Sequence, residues 1–188
     1  MKNKKNEEYV VLVNKENKVL GTSPKLATHN SNTPLHRGFS VFLFNEKGEL
    51  LLQQRSKKKK TWPLIWSNSC CGHPMLNESN INACKRRLKF ELDIAADKIY
   101  EILPNFSYRV EKNGIVENEI CPILIAFTCQ QPEINTDEVE KILWISWDKF
   151  LEELKNNVGK YSPWCILEVR ELLKDKKFLS FQTKNFTS

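Results

Sequence analysis

The chain has 188 residues, 40% of them hydrophobic and 28% charged, and its 29 basic and 23 acidic residues give a net charge of +6. That length suits a single domain with a real core, and that composition excludes wholesale disorder. No apolar run approaches the roughly 20 residues needed to span a bilayer, and the basic start MKNKKNEEYV lacks the apolar stretch of a secretory signal, so a cytoplasmic protein without a membrane partner is expected.

In chain order, residues 8–21 (EYVVLVNKENKVLG) alternate apolar segments around a polar turn and predict a β-hairpin. A polar segment, Lys25–Gly38, follows and carries His29 and His36. Phe39–Arg55 has two β-rich arms around Glu46-Lys47-Gly48 and predicts a second hairpin, its nearly continuous apolar residues implying strands buried on both faces. The block RSKKKKTW, Arg55–Trp62, is the densest positive run. Such a run is either a solvated loop or a seat for an anionic ligand; no helix-turn-helix, zinc-finger or RNP-like pattern accompanies it, so nucleic acid is not an expected partner.

Residues 67–79, SNSCCGHPMLNES, set Cys70 and Cys71 beside His73. The six cysteines form no C-x-x-C pair and no small-domain disulfide framework, and read as reduced thiols, most of them small core residues. A helix is expected from Asn77 or Ser79 to Leu92, with Ile81, Cys84, Leu88 and Leu92 on an apolar face and Arg86, Arg87 and Glu91 on the other. Further strands are expected in Tyr100–Val110 and in Ile115–Thr128, where Pro122 suggests an edge or a bulge. A short strand, Ile142–Trp147, and two helices, Asp148–Asn157 and Ser162–Lys176, close the chain before a polar tail, residues 180–188; Ser162 is the cap of the last helix and Pro163 lies in its first turn. Strands, a helix, strands again and then helices argue for the α+β or layered α/β class.

Chemistry is suggested by Glu117 and Glu119. Two apart on a strand, they project from one face, with Asn118 on the other, and two carboxylates sharing a face repel unless a cation joins them. With His29, His36 and His73 they would form a mixed nitrogen and oxygen site suited to zinc, manganese or a similar divalent ion. If Cys70-Cys71-Gly72-His73 is extended, Cys71 shares the face of His73 and Cys70 points to the core. A thiol beside a cation has its pKa lowered towards neutrality, which suits a group that gives or takes a proton.

Four motifs in order, LATHNSNTPLHRGFS, TWPLIWSNSCCGHP, GIVENEICP and YSPW, resemble type I isopentenyl-diphosphate isomerases, the isomerase branch of the Nudix fold, over residues 8–181. The resemblance implies a Nudix-like α+β fold, a mixed β-sheet sandwich flanked by helices, with residues 1–188 as one domain carrying a short N-terminal extension and a polar C-terminal tail. It implies a small-molecule substrate, isopentenyl diphosphate or dimethylallyl diphosphate, isomerised through a tertiary carbocation for isoprenoid biosynthesis. His29, His36, His73, Glu117 and Glu119 would hold a zinc- or manganese-type ion. Cys71 and Glu119 would be the proton-transfer pair, with Tyr108 near the glutamate and Trp164 facing the cation. Mg2+ would bridge the diphosphate to the Cys71 carbonyl and Glu91, and Lys25, Arg55, Lys59 and Arg87 would surround the diphosphate. The alternative is a Nudix-type diphosphate hydrolase. Against it, the signature G-x5-E-x7-R-E-U-x-E-E-x-G-U falls on Gly72, Glu78, Arg86 and Glu91, but Arg87 and Phe90 replace hydrolase glutamates and Asp93 replaces the glycine.

Overall fold

The continuous apolar runs Phe39–Phe44 and Ile123–Phe127 become strands because both of their faces are covered, one by the core around the last helices and the other by the core around the helix that starts at Asn80. The computed structural model describes residues 8–157 and 159–185, with side chains to Gln182; most of the expected N-terminal extension and the last three residues of the expected tail lie outside them. The first hairpin forms as β1 (Tyr9–Val13) and β2 (Val19–Pro24). A single helical turn, α1 (Lys25–Thr28), and a two-residue strand, β3 (His36–Arg37), occupy the polar segment. Then come β4 (Phe39–Phe44), β5 (Glu49–Arg55), β6 (Trp66–Ser67), β7 (Cys70–Gly72) and helix α2 (Asn80–Leu92). Strands β8 (Lys98–Leu103), β9 (Ser107–Lys112), β10 (Ile115–Ile120), β11 (Ile123–Phe127) and β12 (Val139–Ser146) follow. Helices α3 (Trp147–Asn156), α4 (Pro163–Leu172) and α5 (Lys176–Asn185) end the described chain, so the first part of the expected polar tail is helical.

The strands form two sheets. One runs β2-β1-β3-β10-β9; the other runs β12-β5-β4-β11-β8, with β6 added to β5 and β7 to β4. Tyr100–Val110 and Ile115–Thr128 each divide between the sheets, the second at Cys121-Pro122. Pro122 therefore marks a crossing and not an edge: β10 is interior to its sheet, and a residue without an N–H fits where the chain leaves one ladder for another.

The expected second hairpin is also corrected. β4 and β5 pair only at Phe44 and Leu50 and then part. The wedge is Ser69, whose buried hydroxyl accepts from Leu43 N at 2.7 Å and donates to Leu51 O at 2.6 Å. The segment carrying it adds β6 to β5 and β7 to β4, pairing Cys71 with Ser40.

Alternation along β4, β5 and β11 separates two cores. Phe42, Phe44, Leu50, Leu52, Ile123 and Ile125 pack with residues of α3, α4 and α5; Val41, Leu43, Leu51, Leu124 and Ala126 pack with Cys84, Leu88 and Leu92 of α2. The helix starts on Ser79, whose hydroxyl accepts from Asn82 N, and stops at Asp93 in a left-handed conformation (φ 55°), so the aspartate adopts what the signature glycine would supply. Ile81 is 39% exposed, whereas Arg87 and Glu91, expected on the outer face, are buried against one another. Among the described residues no helix is long and apolar enough to cross a membrane.

Replacing Ser69 by alanine orphans an N–H and a carbonyl inside the sheet. Each orphaned group costs about 1–3 kcal/mol, so urea unfolding should show a loss of about 2–6 kcal/mol; a loss below ~0.5 kcal/mol would show that the serine is no wedge.

Candidate active site

Sheet register brings the polar residues together. β3 runs parallel to β10 with His36 beside Glu119, and β9 runs antiparallel to β10 with Tyr108 on the other side of Glu119. His29 caps α1 and is tied back by its Nδ1 to Lys25 O at 2.8 Å; His73 follows β7 from the other sheet. Gly38, between β3 and β4, leaves space for the carboxylate: a Cβ there would lie 2.1 Å from Glu119 Oε2.

His29, His36, His73 and Glu119 each direct one ligand atom into a common point, all within 4.8 Å of one another. His29 Nε2 lies 3.0 Å from Glu117 Oε2, which stands beside this group of four, and His73 Nε2 lies 3.0 Å from Glu119 Oε1. The ring centroids are 5.0–5.6 Å apart. His29 and His36 each use Nδ1 on a backbone carbonyl, of Lys25 and Pro34, which fixes the tautomer and turns the Nε2 lone pair inward. His36 Nε2 is buried without a hydrogen-bond partner among the described residues. A divalent cation fits that orphaned atom and this donor set.

Burial would raise the Glu119 carboxyl, but the hydrogen bond from His73 and the nearby His36 ring, its Nε2 3.4 Å from Oε1, hold it well below the usual range. Burial pushes His73 down to about 3 against the pull of Glu119, leaving a neutral imidazole able to ligate. Burial would lower His29, but Glu117 raises it.

On the other side, Cys71 is half-buried and its S–H donates to Asn68 Oδ1 at 3.2 Å. Asn68 is anchored by its Nδ2, which donates to the carbonyls of Val41 and Cys70. Burial, followed by the charge of Glu168, pushes the Cys71 thiol up to about 12, against hydrogen bonds from Ser40 and Asn68. Cys70 points the opposite way into the α2 core, as the extended-chain parity requires.

Trp164 is buried at the start of α4 and donates from Nε1 to Ser67 Oγ at 3.0 Å. Its ring stacks with Tyr108 (centroids 6.4 Å apart) and meets Trp62 edge-on, while the Arg55 guanidinium lies 5.5 Å from its centroid. Tyr108 in turn donates to Glu119 Oε2 at 3.1 Å, linking the aromatic wall to the carboxylate.

Of the basic residues, Lys25, Lys59 and Arg87 meet in one network with Glu8, Glu91 and Glu138. Arg55 instead donates to the carbonyls of Thr61 and Trp62. Burial lowers the Lys59 amine, and the charges of Lys25 and Arg55 lower it further. Glu91 divides its carboxylate between Arg87 and Gln53, and Gln53 Oε1 is a buried acceptor without a partner among the described residues.

Sequence reasoning missed Asn68, Ser40 and Glu168. Ser40 Oγ lies 3.4 Å from Cys71 Sγ and donates to the fully buried Glu168 Oε1 at 2.5 Å. Position three residues before Cys71 could have marked Asn68; nothing local marks Ser40 and Glu168, which lie 128 residues apart.

The model of the NUDIX domain family matches residues 34–165. The isopentenyl-diphosphate Delta-isomerase of Saccharopolyspora erythraea is 44% identical over 88% of this chain and 86% of its own length, and that of Salmonella typhi is 40% identical over 93% and 97%. Among solved structures, DR0079 from Deinococcus radiodurans superposes with a TM-score of 0.68 at 18% identity, covering 87% of this chain and 98% of that one. The MutT protein of Methanosarcina mazei gives 0.54 at 22% identity over 63% and 82%. These two speak for the fold alone.

Burial, aided by the charge of Glu119 and opposed by the Ser40 hydrogen bond, pushes the Glu168 carboxyl up to about 8. Between the ordinary carboxylate range and that value the folded chain keeps a proton that the unfolded chain has lost, so this residue's contribution to stability falls as pH rises. Thermal unfolding of Glu168→Gln should gain on the unmodified protein steadily from about pH 5 to pH 8; a constant difference over that range would mean that Glu168 is ionised in the fold.

Proposed function

The chain belongs to the isopentenyl-diphosphate Delta-isomerase family of NUDIX domains, and from that membership we propose how its residues divide the chemistry. The enzyme interconverts isopentenyl diphosphate and dimethylallyl diphosphate, adding a proton at one carbon and removing another from C2. An unactivated alkene is a poor base, so the acid must be held against it with water excluded, or the cation would be trapped as an alcohol.

The observation that carries the assignment is positional: Cys71, held by Asn68 on one sheet, and Glu119, held by Tyr108 on the other, both adjoin the aromatic group of Trp164 and Tyr108. Cys71 is held as a neutral thiol by burial, and Glu119 is held as a carboxylate by its histidines. Two titratable groups driven apart by their surroundings mark an acid and a base. Cys71 gives its proton to the alkene and Glu119 takes one from C2; the reverse reaction starts from the opposite protonation. Asn68 orients the thiol, Tyr108 orients the carboxylate, and the indole of Trp164 stabilises positive charge at C3, an attraction of about 2 kcal/mol or more when desolvated.

A zinc- or manganese-type ion would be held by His29, His36, His73, Glu117 and Glu119, and Mg2+ carried with the diphosphate by Glu91 and the Cys71 carbonyl. When bound, these ions neutralise the clustered carboxylates and the substrate's charge. The unpaired His36 Nε2 and Gln53 Oε1 support the two seats. Lys25, Lys59 and Arg87 receive the diphosphate, with Arg55 between it and Trp164; multiple donors suit phosphate oxygens. Residues 1–188 work as one unit, in the cytoplasm. Hydrolysis is disfavoured because Arg87, a buried cation, stands where a hydrolase would place a cation-binding carboxylate.

Incubation with isopentenyl diphosphate, magnesium and zinc in deuterated water should give dimethylallyl diphosphate carrying deuterium without phosphate release. Phosphate without isomerisation would identify a hydrolase. Cys71→Ala should lose about 10²- to 10⁴-fold or more in turnover with fold and bound metal unchanged; near-normal turnover would remove Cys71 from the mechanism. Trp164→Phe should be milder than Trp164→Leu, and equal losses would contradict a role for the aromatic face.

A further inference from the structure

The cations proposed to receive the diphosphate already hold anions. Lys25, Lys59 and Arg87 are matched by three carboxylates, Glu8, Glu91 and Glu138, so this part of the site is close to neutral. A diphosphate brings two or three further negative charges, and its oxygens need the donors that these carboxylates occupy. One of the three must give way.

The three are not equally held. Glu91 is 3% exposed and is gripped by Arg87 and Gln53. Glu138 is 16% exposed, and its backbone takes part in two hydrogen bonds, to Asn135 and Ser56. Glu8, just before β1, is 49% exposed, and water can receive its carboxylate at little cost. Its two oxygens are spread over two cations: Oε2 accepts from Lys25 Nζ at 2.6 Å and Oε1 from Arg87 Nη1 at 3.1 Å. Two oxygens of one anion on two separate cations is what a phosphate group does.

We propose that Glu8 is an internal stand-in for a substrate phosphate: it bridges Lys25 and Arg87 in the empty site, leaves when diphosphate enters, and thereby sets the affinity for diphosphate. This rests on the diphosphate site proposed above. Without Glu8 the cations would repel one another around the half-buried Lys59; with it, the empty site is neutral and stable, and the ligand must compete for its place. Binding is then weaker than the donor set alone would give, which favours release of a product carrying the same diphosphate.

The probe is inorganic diphosphate with magnesium, titrated calorimetrically into the unmodified protein and into Glu8→Gln, Glu8→Ala and Lys59→Gln. Removing a half-exposed competing charge should tighten binding by about 2- to 5-fold in both Glu8 variants, and lower the KM for isopentenyl diphosphate in proportion. Lys59→Gln should weaken binding and so locate the site. Unchanged or weaker binding in both Glu8 variants, with Lys59→Gln weakened, would overturn the inference and leave the diphosphate site standing. Binding indifferent to Lys59, or absent from every variant, would overturn the site and the inference with it.

Discussion

A pair of parallel strand contacts runs through both sheets and carries the rest of the structure. β3 lies beside β10 in one sheet, and their continuations β4 and β11 lie side by side in the other, the crossings falling at Gly38 and at Cys121-Pro122. Backbone bonds from Gly38 N to Ile120 O and from Ser40 N to Pro122 O keep the two chains in step across the gap. That register is why Glu119 meets His36 and Tyr108, and why the ligand cluster forms where the strands change sheets. Burying three imidazoles and two carboxylates is costly unless they are paired or joined by a cation, so the ladder that collects them also creates the demand for one.

The Cys71 side is built by a different device. Ser69 parts β4 from β5, and the strand inserted beside β4 delivers Cys71 opposite Ser40. Strand parity then sends Cys70 into the α2 core and Cys71 towards the aromatic wall of Trp164, Tyr108 and Trp62. Asn68, buried and fully engaged, holds the thiol from below. Cys71 from one sheet and Tyr108, bonded to Glu119, from the other thus pack against the same aromatic cluster around Trp164.

Helix α2 shows how a fold shared with diphosphate hydrolases can be turned to another reaction. Arg87 brings a fixed positive charge to a helix face where acidic side chains would gather metal ions, and it draws Glu8, Glu91 and Glu138 to itself. The helix keeps its start at Ser79 and its left-handed stop at Asp93, so its geometry survives while its charge is inverted.

Whatever depends on neighbours along the chain was legible in the residues. Period-two alternation assigned Glu117 with Glu119 and Cys71 with His73 to common faces, the Ser-capped starts of α2 and α4 were legible, and the spaced motifs identified the family. The sequence could not show that the arms of Phe39–Arg55 part after one residue pair, that Pro122 lies at a crossing between sheets, or that Arg87 and Glu91 turn inward. These emerge when the two sheets close, as do the contacts of Glu8 with Arg87 and of Ser40 with Glu168, 79 and 128 residues apart. The reason is physical: side-chain direction along a strand or helix is fixed by local backbone geometry, whereas the partner of a buried charge or hydroxyl is chosen by which distant segment has its own unmet hydrogen bonds when the sheets close.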